Sequence, residues 1–208
     1  MDNYETAKLQ AQKFFLSLQE ETMLSRSPFS FDENHIFVPF LGNYYRICRK
    51  TGQVTRTEGS FLPPGEAGFS ETLSIFDFLC HESKEKQLSG KWAPADSLKG
   101  RPVTLAPMPD FHRTISRRFH DNPAALRRAC KALGGKAVPL GDIGYEIPVF
   151  PDFSVILKFY FADEEFPAQT ILLWDENTLD FLRYETTFYI AGHLLEQLSL
   201  PPRVKPYF

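Results

Sequence analysis

The chain has 208 residues, 43% hydrophobic and 24% charged, enough for a buried core and an ordinary globular balance that argues against disorder. Its net charge of −3 gives no general attraction to nucleic acid or an anionic membrane, and no window reaches the apolar length of a transmembrane helix. Cys48, Cys80 and Cys130 are far apart and form no C-x-x-C pair, which speaks against a disulfide framework or a four-thiolate cluster held by one chain.

Met1-Asp2-Asn3-Tyr4-Glu5 has neither the basic nor the apolar region of a secretory signal, so the expected compartment is the cytoplasm. Residues 3–21 read as a helix, because Tyr4, Ala7, Ala11, Phe14, Phe15 and Leu18 draw one apolar stripe. Pro28 breaks the chain. His35 to Pro39, Tyr44 to Cys48 and Val54 to Thr57 alternate as short strands, with turns at Gly42-Asn43 and Thr51-Gly52-Gln53, and predict a meander. Ser70 predicts the cap of a helix over 71–81, with Glu71 in its first turn. This helix is apolar over most of its circumference and is expected to be central.

Residues 82–110 carry charge, two glycines and four prolines, with little periodicity. Long irregular segments in compact domains are often functional. Phe111, Ile115 and Phe119 share a face in a helix over 110–119. Asn122 and Pro123 then cap and start another helix, which buries Leu126, Cys130 and Leu133 and stops at Gly134-Gly135. Strands follow at 136–140, 144–149, 154–161 and 168–174, the last two spaced for an antiparallel hairpin. A last helix over 183–198 buries Phe188, Ala191, Leu195 and Leu198 and ends before Pro201-Pro202. With no internal repeat and no linker, residues 1–208 read as a single α+β domain, a mostly antiparallel sheet with packed helices. Aromatic residues reach 14%, 20 of them Phe, so the core is expected to be built on rings.

Several short segments recur in an order that resembles a known family. They are Leu88-Ser89-Gly90-Lys91-Trp92, Leu133-Gly134-Gly135, Asp163-Glu164-Glu165-Phe166-Pro167-Ala168, Ile171-Leu172-Leu173-Trp174-Asp175 and Glu185. Together they resemble the domain-of-unknown-function family 3786, found mainly in anaerobic bacteria and archaea. The resemblance implies no reaction and no agreed site residues. Some members resemble fusions with a cysteine-rich iron–sulfur module, in proteins associated with corrinoid and one-carbon metabolism. The four clustered cysteines of that module are not in this sequence.

Two segments are the main candidates for a site. Asp163, Glu164 and Glu165 could hold a divalent cation or a cationic ligand, since hard cations take carboxylate oxygens. The preferred reading is a solvated turn, with Phe166 packing back and Pro167 stiffening the exit. Gly90-Lys91-Trp92 could wall a ligand pocket, Lys91 meeting an anion and Trp92 stacking on a ring. Alternatively Trp92 anchors the loop and Lys91 lies over it. A joint reading pairs Lys91 with the Asp163 loop in one cleft.

Other features carry less. His81-Glu82-Ser83-Lys84-Glu85 is half of a zinc motif, its second His replaced by Glu85. Arg113 to Lys136 holds seven basic residues against Asp121 alone, a face read as solvated or paired with the acidic second half rather than bound to nucleic acid. Cys80 and Cys130 read as core thiols, and His193 as packed or at the surface. There is no G-x-S-x-G, P-loop or dinucleotide fingerprint.

The leading expectation is a cytoplasmic binding domain for a small-molecule ligand or a protein partner, accessory to corrinoid or one-carbon metabolism. No nucleic acid or membrane partner is expected, and no cofactor can be named. The alternative is a metal-assisted enzyme that uses Asp163, Glu164 or Glu165, with Lys91 and Arg113 holding a small anionic substrate. A third possibility is a structural subunit with a large exposed aromatic patch.

Overall fold

The computed structural model describes residues 3–25, 27–60, 62–82, 86–102 and 111–200. The fold is α+β, with two five-stranded antiparallel sheets. Sheet A is a meander of β1 (Ser30–Phe31), β2 (His35–Phe40), β3 (Asn43–Cys48), β4 (Val54–Arg56) and β5 (Gly65–Glu66). Sheet B joins β6 (Trp92–Pro94), β7 (Lys136–Ala137), β8 (Ile143–Phe150), β9 (Phe153–Tyr160) and β10 (Gln169–Asp175) in the order β6-β10-β9-β8-β7. The helices are α1 (Asn3–Ser17), α2 (Glu20–Ser25), α3 (Phe69–Cys80), α4 (Phe111–Phe119), α5 (Pro123–Ala132) and α6 (Tyr184–Ser199).

Period-two alternation orients sheet A. Ile36, Val38, Phe40, Tyr45 and Ile47 point inward, while Phe37, Tyr44 and Arg46 face out. The two sheets meet where the β2–β3 turn donates its Leu41 N–H to the Val149 carbonyl of β8 at 3.0 Å. Helix α6 packs against α3, α4 and α5, and α4 and α5 lie on sheet B. One buried cluster runs through both sheets and the helices. Its centre is a set of rings: Phe78 stacks on Phe150 at 4.1 Å and meets Phe153 edge-on at 5.5 Å, and Phe150 stacks on Phe40 at 4.8 Å.

Local chemistry explains most boundaries. Asn122 caps α5 as expected, its side chain accepting from Ala125 N at 3.1 Å, with Pro123 in the first position. Gly134 ends the helix region at φ +82°, and a Cβ on Gly135 would lie 2.7 Å from the Cys130 carbonyl. Helix α3 starts two residues earlier than Ser70 suggests. Gly68 is its N-cap, and the Glu71 carboxylate closes back on the Gly68 N–H. Helix α6 is capped by a residue of another helix: Asp77 accepts from Arg183 N at 2.7 Å and from the Thr186 hydroxyl at 2.6 Å.

Three expectations need correction. The first helix is two, α1 and α2, and its stripe is only partly buried: Phe15 is in the core and Ala11 and Leu18 pack against it, but Tyr4 and Phe14 are exposed. Lys8 is buried instead, bonded to Glu66 at 3.0 Å and Glu5 at 3.4 Å. Burial alone would depress its ammonium; these bonds outweigh it and raise the pKa. The β2–β3 turn is Leu41-Gly42, and Asn43 is already in β3. The irregular 82–110 region contains β6 and a short 3₁₀ turn over Ala95–Ser97. Residues 103–110, Ser83 to Glu85, the Phe111 side chain and Pro201-Pro202 lie outside the described residues. No helix among the described residues is long and apolar enough to cross a membrane.

Candidate functional site

Asp175 ends β10 and is 2% exposed. A carboxylate so deep in the protein must have its lone pairs met. Oδ1 accepts from Ser89 N and Ser89 Oγ, each at 3.0 Å, and from Asn177 N at 2.8 Å. Oδ2 accepts from Gly90 N at 2.7 Å. Glu176 N in turn donates to the Lys91 carbonyl at 2.9 Å. This cluster fastens the 88–91 loop to the end of the sheet. Trp92 then starts β6 opposite Asp175, and Ala93 pairs with Trp174.

The fastened loop forms one wall of a cavity of about 570 Å³. Leu88, Gly90, Trp92 and Asp175 line it, facing Leu133 and Gly134 beyond α5. Its other walls come from the β2–β3 turn with its flanking strand ends, Pro39 to Tyr44, and from the β8–β9 turn with the end of β8, Pro148 to Asp152. Lys136, Glu146, Asp152 and Ser154 supply polar groups to this largely apolar lining. Both turns carry an uncommon backbone: Leu41 has φ +44° and Asp152 φ +58°. Asp tolerates this region; for leucine it costs about 1–2 kcal/mol. Leu41 is held there by its bond to Val149 and by Asn43, whose Nδ2 donates to the Leu41 carbonyl at 3.0 Å. Strain of this kind persists only where the surroundings over-determine it, and it gathers at functional sites.

The expected residues are divided among three places. Trp92 lines the cavity, half-buried. Lys91 contributes main chain to the loop, while its side chain is exposed and outside the cavity lining. Asp163, Glu164 and Glu165 sit in the β9–β10 turn, at the opposite end of β10 from Trp92. The length of β10 puts about 20 Å between those ends. The single Lys91–Asp163 cleft is therefore not formed. Asp163 is a turn-builder, its Oδ1 accepting from Glu165 N at 2.9 Å and Phe166 N at 2.7 Å. Phe166 does not pack back; it is 58% exposed. Arg113 lies on α4 beside this turn, in a second cavity with Pro167 and Ala168. Among the described residues no group of three His, Cys, Asp or Glu is arranged to hold a metal ion.

Three of the segments singled out in the sequence thus converge on one cavity: Leu88 to Trp92, Leu133 to Gly135, and Trp174-Asp175. The sequence profile of a family described as "Domain of unknown function (DUF3786)" matches residues 20–197. The chain belongs to the DUF3786 family. No curated protein and no solved structure matches it significantly. The matched stretch of the DUF3786 domain contains both sheets and nearly all of α6.

Sequence reasoning placed the β2–β3 turn one residue late, at Gly42-Asn43, and did not single out the β8–β9 turn. Pro151-Asp152 between two strand-forming runs was a readable signal, since Pro and Asp favour a tight turn. The left-handed Leu41 had no such signal. A second omission is the buried cluster around Glu71. Tyr45 Oη donates to Glu71 Oε1 at 2.5 Å and Arg56 Nη1 to the same oxygen at 2.8 Å. His193 Nε2 lies 3.8 Å away from that oxygen and 3.1 Å from Gln197 Nε2. Burial, reinforced by the Glu71 carboxylate, raises the Tyr45 hydroxyl far above its ordinary range. Sequence reasoning assigned Glu71 only to the helix dipole.

Proposed function

We propose that this domain binds a small molecule in the Trp92 cavity. The observation that carries the reading is the convergence of three separate sequence segments on one half-open cavity, with a strained leucine in its wall. A volume of about 570 Å³ suits a drug-sized ligand. The apolar walls and the half-exposed indole favour a flat ring system. Glu146, Asp152 and Asp175 against Lys136 favour a neutral or cationic ligand over an anion. The link to corrinoid and one-carbon metabolism rests on the family resemblance and supplies the first candidates.

Tryptophan fluorescence and thermal shift test the reading, with pterin-type one-carbon cofactors, nucleosides and corrinoids as probes. At least one class is expected to quench the emission and raise Tm. Trp92→Phe should keep the fold and shift the affinity by about tenfold. A uniform null across the panel would overturn the reading.

A further inference from the structure

His193 of α6 is 4% exposed, and its ring lies flat on Phe40 of β2, with centroids 5.3 Å apart and planes at 10°. Phe40 also stacks on Phe150 at 4.8 Å, and both rings line the Trp92 cavity. The residue after Phe40 is Leu41, the left-handed residue of the cavity wall. A buried imidazole therefore stands directly behind that wall.

Imidazole is the side chain whose charge changes near neutral pH. The groups around His193 can serve both of its charge states. Glu196, exposed and one turn further along α6, brings Oε2 to 3.6 Å from Nδ1. This contact holds the Glu196 carboxyl below its ordinary range, so it stays a carboxylate. Glu71 of α3 brings Oε1 to 3.8 Å from Nε2, with Tyr45 of β3 and Arg56 of β4 bonded to the same oxygen. Helices α4 and α5 also pack on α6, but among the described residues none of their titratable groups hydrogen-bonds or ion-pairs with His193.

Gln197 separates the two states. Its Nε2 lies 3.1 Å from His193 Nε2, so a neutral ring accepts there and carries its proton on Nδ1, toward Glu196. In that state Gln197 Oε1 is buried without a hydrogen-bond partner. A proton added at Nε2 makes that nitrogen a donor. The amide must then rotate, which gives Oε1 the partner it lacks. Glu71 and Glu196 balance the new charge, and the face of Phe40 attracts it.

We propose that His193 is a proton switch for the Trp92 cavity, in which charging at Nε2 turns the Gln197 amide and moves the Leu41 turn through the stacked Phe40 ring. Its regulatory role rests on the cavity being the ligand site, whereas the motion itself needs no ligand.

Nuclear magnetic resonance of the full chain without ligand, from about pH 5 to 8.5, is the test. The His193 ring nitrogens, the Gln197 side-chain amide and the Leu41 and Gly42 main-chain amides are expected to shift with one common midpoint. In His193→Gln the Leu41 and Gly42 shifts should vanish while the rest of the spectrum stays native. His35 is in the same strand as Phe40 and is the rival source of a shift at Leu41. Persistence of that shift in His193→Gln would assign it to another group and overturn the proposal. So would a His193 ring that does not titrate over this range, or Leu41 and Gly42 amides that stay still while it does; both are read in the wild-type protein and need no variant to fold. A uniform null in the ligand panel would leave these shifts in place, so the two readings fail separately.

Discussion

Burial separates the three thiols. Cys48 is only half-buried, and hydrogen bonds from the Thr51 side chain and main chain hold its pKa below the ordinary thiol value. Cys80 and Cys130 are in the core, where burial pushes each from 9.0 up to about 12. A neighbouring carboxylate, Asp77, adds to the effect at Cys80. The raised pKa means the folded state keeps protons that the unfolded chain gives up. This stabilisation is complete below pH 9.0 and is lost as pH rises toward about 12. The urea midpoint should therefore be flat through neutral pH and fall above the ordinary thiol pKa, and Cys130→Ala should shallow that fall. In the native protein iodoacetamide should modify Cys48 first. Equal labelling of all three thiols would contradict the burial argument. That two of the thiols belong to the core was legible in the sequence, since both stand among apolar residues at helical spacing. The Thr51 contact was not, because it depends on how the β3–β4 turn folds back.

Among the elements, the 88–92 loop depends on a single carboxylate. Asp175→Ala removes four hydrogen bonds and leaves the Gly90 and Ser89 N–H groups to find water. Hydrogen bonds to a charged acceptor contribute about 1.5–3 kcal/mol each but do not add fully, so a loss of about 3–4 kcal/mol is expected in urea unfolding. Hydrogen exchange should localise the damage to residues 88–92 and 175–177. A loss below about 0.5 kcal/mol would mean that the loop holds itself. Local chemistry was readable wherever cause and effect are close in sequence. Asn122-Pro123 caps α5 because side chain and N–H are three positions apart. Strand β6 was not readable: Trp92 to Pro94 are extended only because β10 receives them. The Asp163 turn was readable as a turn, yet its separation from Lys91 follows from strand direction, which no local pattern reveals. The α1 stripe misled because the helix meets α3 along one flank at the protein's edge: Tyr4 packs edge-on against Phe69 of α3, yet it and Phe14 stay largely exposed.

Across the whole molecule, the Glu71 cluster ties sheet A to the helices, since its members come from β3, β4, α3 and α6. In Glu71→Gln an amide N–H would face either the Gly68 N–H or the Tyr45 and Arg56 donors, and Arg56 would lose its counter-charge. Breaking one partner of a buried pair costs about 3–5 kcal/mol. The urea midpoint of Glu71→Gln should fall accordingly, and Tyr45→Phe should fall by about 1–2 kcal/mol through one lost bond. A neutral Glu71→Gln would show that this cluster adds nothing to the union of sheet and helices. The α+β class and the ring-built core were legible from composition and alternation. The division into two sheets was not, because it rests on which strands skip their neighbours in sequence. The order β6-β10-β9-β8-β7 also has a bearing on synthesis. Ser89 and its anchor Asp175 are 86 positions apart. As the chain leaves the ribosome, the Trp92 segment must therefore wait, unpaired, until the strand that receives it has been translated. Sheet A can form its meander well before then. The Trp92 cavity is thus the late-born part of the fold, and its loop is the segment exposed longest to misplaced partners.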